Sequence, residues 1–188
     1  MTAETAGIPG YIAGTWDIDP AHSHIGFVAR HLMVSQVRGN FTKFEGKIIT
    51  ADDPLQSSAT VTVDMTSIDT SREQRNSDVK AAGFLDVATY PTMTFRSTGV
   101  RLKGGRDFVV DGELTVRGVT RPIELTAEVN GFGPDPRGGT RAGFSAIGEI
   151  NRSGYGINVD RALPSGGLVI GEKIQLTIEV EASLRKEG

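Results

Sequence analysis

Ile174-Gln175-Leu176-Thr177-Ile178-Glu179-Val180-Glu181-Ala182 puts an apolar side chain at every even position and a polar or charged one at every odd position. A period of two belongs to an extended strand, whose successive side chains point to opposite faces. A helix would spread the same apolar residues around its circumference. The stretch is therefore a strand with one dry face and one wet face, and the rest of the chain is to be read against it.

The same alternation runs through Val61, Val63 and Met65 against Thr60, Thr62 and Asp64, and through Ile123, Leu125, Ala127 and Val129 against Glu124, Thr126 and Glu128. Weaker versions cover 23–29, 37–49, 93–102, 108–117 and 142–150, which makes eight strands in all. Turn residues separate them at Ala51-Asp52-Asp53-Pro54, Lys103-Gly104-Gly105-Arg106 and Arg117-Gly118-Val119-Thr120, and in the glycine- and proline-rich stretch 131–140. Pro164-Ser165-Gly166-Gly167-Leu168 reads as a further loop between strands. One segment breaks the pattern. Thr70-Ser71-Arg72-Glu73-Gln74 has the spacing of a capping box and predicts a short helix running through Lys80 to a stop at Gly83. A second helical turn is expected over 152–156.

Eight amphipathic antiparallel strands in one domain must bury their dry face, either between two stacked sheets or inside a closed barrel. A barrel of this size can be filled by side chains or can hold one small ligand. The apolar phase carries no charge and includes very small residues, Gly112, Ala127, Ala146 and Gly148. Two readings remain open from periodicity alone: a partly hollow interior, or small and large residues alternating to fill a taper.

The stretch Ala21-His22-Ser23-His24-Ile25-Gly26-Phe27-Val28-Ala29-Arg30-His31 contains every histidine of the chain. On a strand, His22 and His24 would share one face, as a two-histidine metal site needs, but no complete ligand set accompanies them. Their neighbour Ser23 would point the other way, so neither imidazole could activate its hydroxyl. There is no G-x-S-x-G elbow, phosphate loop or dinucleotide fingerprint, so the sequence offers neither catalytic nor metal-ligating residues beyond this cluster.

The 188 residues include no cysteine, which removes disulfides, thiolate metal sites and cysteine nucleophiles. Twenty basic against 23 acidic residues give a net charge of −3, without the field that would hold nucleic acid or an anionic membrane. The opening MTAETAGIPGYIAGTW lacks the pattern of a secretory leader, no apolar run is long enough to span a membrane, and a cytoplasmic location is expected. Residues 1–13 are expected to form a flexible extension and 14–188 a single barrel domain.

Several motifs together resemble the YceI-like family. They are Trp16-Asp17-Ile18-Asp19-Pro20-Ala21-His22-Ser23 with Phe27 and His31, Gly39-Asn40-Phe41 with Phe44-Glu45-Gly46, and Ser67-Ile68-Asp69-Thr70. Phe84-Leu85-Asp86, Tyr90-Pro91-Thr92-Met93-Thr94-Phe95, 112–122, and Ile150-Asn151-Arg152-Ser153 with Tyr155-Gly156 continue the match in order. The chain departs from the family at Arg75-Asn76-Ser77-Asp78-Val79, where relatives usually carry Arg-Asp and then His-Leu. The resemblance implies an eight-stranded antiparallel lipocalin-like barrel with a short helix near one end, often a homodimer. It implies a non-enzymatic carrier of a polyisoprenoid, isoprenoid quinone or fatty-acid-like amphiphile, with no cofactor beyond that ligand. The lipid wall is then expected among Phe27, Phe41, Phe44, Met65, Phe84, Phe95, Leu114, Phe144 and Ile178, with Arg75 or Arg152 meeting a polar head. The alternatives are an enzyme or metal site at His22 and His24, and a stress-related structural barrel acting through its dimer surface.

Overall fold

The computed structural model of the chain describes residues 8–31, 35–158 and 170–186. The loop expected at 164–168 lies outside them. Eleven strand segments, antiparallel to their neighbours, form one closed sheet: β1 Gly14–Ile18, β2 His24–His31, β3 Ser35–Phe41, β4 Phe44–Thr50, β5 Ser58–Asp64, β6 Ile68–Asp69, β7 Thr92–Gly104, β8 Asp107–Val116, β9 Val119–Pro134, β10 Thr140–Asn151 and β11 Ile170–Leu184. The sheet closes where β1 pairs with the end of β11, with Trp16 opposite Leu184 and Ile18 opposite Ala182.

Six of these segments are halves of three bent strands, so the barrel has eight staves. The first bend, between β1 and β2, is a short 3-10 turn over Pro20–His22, and the third, between β5 and β6, is another over Met65–Ser67. Each opens on an aspartate whose carboxylate accepts the backbone N–H two residues on, Asp19 from Ala21 at 3.0 Å and Asp64 from Thr66 at 2.9 Å. The middle bend, at Thr42 and Lys43, is tied to the third: Ser67 Oγ accepts from both of their backbone N–H groups, at 3.1 and 3.0 Å. The hairpin between β8 and β9 turns on Arg117 and Gly118, both left-handed (φ 52° and 73°), the turn whose twist matches flanking strands. A Cβ on Gly118 would lie 2.8 Å from the Tyr90 ring.

Helix α1, Glu73–Lys80, covers one end of the barrel. The expected capping box is not formed. Arg72 occupies the N-cap position without a side-chain bond, and Asn76 Oδ1 instead reaches back to accept from the backbone N–H and hydroxyl of Thr70, at 2.7 and 2.6 Å. A helical amide thus does the work expected of the Glu or Gln of the box, accepting a backbone N–H ahead of the helix. The helix ends at Lys80 rather than at Gly83, with Ala81 already extended. The turn expected over 152–156 is a 3-10 helix, Arg152–Tyr155, closed by left-handed Gly156.

The core is densest at the α1 end, where Met65, Ile68, Val79, Leu85, Val116 and Tyr155 are all buried. On the seam, Trp16 is fully buried, its indole N–H donating to Thr50 Oγ1 at 2.8 Å and its ring edge-to-face with Phe132. Of residues 8–13, expected as part of a flexible extension, Ile8, Tyr11 and Ile12 pack on the barrel at the end opposite α1. Ile8 is only 3% exposed, against Phe108 and Val129.

Candidate functional site

Following the hydrogen-bond register sideways from β8 gives one continuous inward row: Phe108, Ala127, Ala146, Ile178, Ile25 and Phe41, each opposite the next. All six line a cavity of about 210 Å³ inside the barrel. The two alanines sit in the middle of the row, and there the wall recedes. Among the described residues no charged side chain lines the cavity. Its floor, toward α1, is Phe41, Val63, Met93 and Leu114, and its other end is bounded by Val100, Phe108, Val129, Pro54, Ile8 and Tyr11.

Both readings of the small inner residues are realised, at different positions. Ala127 and Ala146 face empty space. The space beside Gly112 is taken by the Phe95 ring, and a Cβ on Gly148 would lie 2.6 Å from Leu125, so the glycines are filled by neighbours.

The few polar groups at the end opposite α1 satisfy one another. Tyr11 donates its hydroxyl to the Ala51 carbonyl at 2.5 Å, and Thr50 donates to the Ile12 carbonyl at 2.8 Å while accepting from Trp16. Burial raises the Tyr11 phenol above its ordinary pKa, so it stays a neutral donor.

Of the residues expected to form a lipid wall, Phe41, Phe95, Leu114, Phe144 and Ile178 line the cavity. Phe27, Phe44, Met65 and Phe84 belong to the packed core and not to the lining. Phe27, for example, lays its ring over Gly39 and beside Phe41, 5.8 Å between centroids. Neither arginine borders the cavity. Arg152 is 7% exposed and gives Nη1 to the Ile157 carbonyl (2.8 Å), Nη2 to Ile170 (3.0 Å) and Nε to Gly171 (3.1 Å). One of these carbonyls follows β10 and the other two open β11, so Arg152 ties these two stretches of the barrel together. Arg75 spends Nη2 on the Thr70 carbonyl at 2.6 Å. Ile8, Tyr11 and Val129 were not among the expected site residues; the first two carry no strand periodicity that could have revealed them.

The histidine pair does not form the geometry expected of it. His22 lies in the 3-10 turn and not on a strand, because Pro20 starts that turn, while His24 opens β2 on the outer face, over Gly26. His22 Nδ1 is 2.8 Å from Asp19 Oδ2, and Asp19 is also held by Arg141 Nη1 at 2.7 Å. Arg141 in turn binds Asp135 at 2.8 Å, pinning the first bend to the β9–β10 turn. Among the described residues no three His, Asp or Glu side chains come together to hold a metal.

This pin has a pH signature. Arg141, and after it His22, hold the Asp19 carboxyl at about 2. A carboxyl held low in the folded state stabilises it above the unfolded pKa of about 4, and that contribution disappears as pH falls from about 4 to about 2. The Asp19→Asn variant should therefore lose less stability than the parent across this window. Urea midpoints measured down the acid limb test it, and parallel curves for the two proteins would refute it.

Comparison with known proteins agrees with this architecture. The family model of the YceI-like domain matches residues 16–182. Protein YceI of Escherichia coli is 37% identical over 179 residues, covering 93% of this chain and 90% of that protein. Burkholderia cenocepacia BcnA superposes with a TM-score of 0.78 at 23% identity, over 88% of this chain and 99% of that one. A polyisoprenoid binding domain from Saccharophagus degradans, implicated in plant cell wall breakdown, superposes with a TM-score of 0.68 at 18% identity, over 93% and 100%. With its motifs, its barrel and its matched span in agreement, the chain belongs to the YceI-like family.

Proposed function

We propose that this protein is a non-enzymatic carrier of an uncharged, chain-like amphiphile of the polyisoprenoid or isoprenoid quinone type, held in the barrel by its apolar chain. The observation that carries the reading is the cavity itself, about 210 Å³ and, among the described residues, lined without a single charged side chain. A cavity of about 150 Å³ takes one benzene-sized ring, so this one has room for roughly 8 to 10 methylene-sized groups. Each buried methylene is worth about 0.8 kcal/mol, so ten contribute about 8 kcal/mol before ordering costs, enough for appreciable affinity without a strong polar contact. An ionised head group inside would be desolvated with nothing to pair with, which favours a neutral ligand or one whose head stays outside. The Saccharophagus domain, of the same fold, is described as polyisoprenoid-binding, which supports the ligand class.

Organic extraction of the purified protein followed by mass spectrometry is expected to release a neutral prenyl or acyl chain. A folded protein that yields no such molecule, and takes up neither prenyl alcohols nor quinones when offered them, would remove the proposal.

A further inference from the structure

The end of the cavity opposite α1 is closed by a residue outside the span that matches the family domain. Ile8 lines the cavity and is buried against Phe108 and Val129, which also line it. Its segment forms no ladder with the barrel, since β1 begins only at Gly14. It is folded back by a turn through left-handed Gly10, with Tyr11 N–H donating to the Ile8 carbonyl at 3.2 Å. It is held by the Tyr11–Ala51 hydrogen bond and by the edge-to-face contact of Tyr11 with Phe132, 5.4 Å between centroids. The matched span starts at residue 16, so Ile8 lies outside it.

We propose that Ile8 is a specificity-determining residue: its branched side chain occupies the place of the next unit of a longer ligand and sets the chain length that the barrel accepts. The proposal rests on the reading of the cavity as a chain site. A chain segment of roughly 8 to 10 methylene-sized groups is bound with Ile8 in place. A longer one must expel Ile8 and forfeit its burial.

Displacement of diphenylhexatriene by geraniol, farnesol and solanesol tests this on the full chain. The parent should bind geraniol at least as tightly as solanesol. In Ile8→Gly the vacated space takes two or more further methylenes, so solanesol should gain about tenfold relative to geraniol. Tyr11→Phe, which removes only the tether to Ala51, should move the same ratio part of the way. If the ratio is the same in all three proteins, Ile8 is a packing residue only and the proposal falls. If no prenyl alcohol displaces the dye from the folded parent, the chain-site reading falls first, and this proposal with it.

Discussion

Replacing Arg152 by alanine should cost about 5 kcal/mol of stability and lower the melting temperature by about 10–20 °C. The argument is one of unsatisfied acceptors. The guanidinium is nearly out of solvent and supplies three hydrogen bonds to the carbonyls of Ile157, Ile170 and Gly171. Alanine removes all of them at once, and each buried carbonyl left without a donor costs about 1–3 kcal/mol. Lysine keeps the charge but not the planar fork, so Arg152→Lys should recover only part of the loss. Urea midpoints give the answer, and an alanine variant within about 1 kcal/mol of the parent would show that solvent reaches these carbonyls. If Arg152 met a lipid head group instead, the alanine variant would lose ligand at nearly unchanged stability.

Filling the cavity should have the opposite signature, a large effect on binding with little on folding. Ala146 faces the hollow between Ala127 and Ile178. Ala146→Phe would introduce a ring there, and a ring of this kind fills a cavity of about 150 Å³. Displacing about six methylene-sized groups of ligand at ~0.8 kcal/mol each removes about 5 kcal/mol, or about a thousandfold in affinity. Because the ring enters empty space, the melting temperature should hold or rise. Adding Ala127→Phe should abolish binding. Dye displacement read beside thermal denaturation separates the outcomes, and a phenylalanine variant that binds prenyl alcohols like its parent would place the ligand elsewhere.

The fold was legible because alternation over a strand is a direct record of which face is dry. The stretch Ile174 to Ala182 could be read alone, and seven others followed. The bends were not legible. Thr42 and Lys43 interrupt a run that reads as one strand over 37–49, and the interruption depends on Ser67, distant in sequence. The histidine geometry failed for a related reason, since the alternation was carried back through His22 although Pro20 and Asp19 start a 3-10 turn there. The site was half legible. Periodicity identified inward residues such as Phe95 and Ile178, but depth along the barrel is not encoded in phase. Phe27 and Phe44 therefore looked the same as Phe41 and Phe144, although only the latter two border the cavity. Ile8 and Tyr11 reach the site through a turn with no pattern at all.

The seam between β1 and β11 also has a consequence in time. Trp16 sits opposite Leu184, and Asp17 pairs with Arg185 at 2.6 Å, so the first strand finds its last neighbour only when almost the whole chain exists. Contacts this distant in sequence slow folding, because loop-closure entropy must be overcome before they form. Until then the sheet has two unpaired edges, each able to add a strand from another molecule. The step that encloses the apolar interior also removes those edges, so a nascent chain is most exposed to aggregation just before it can first hold a ligand.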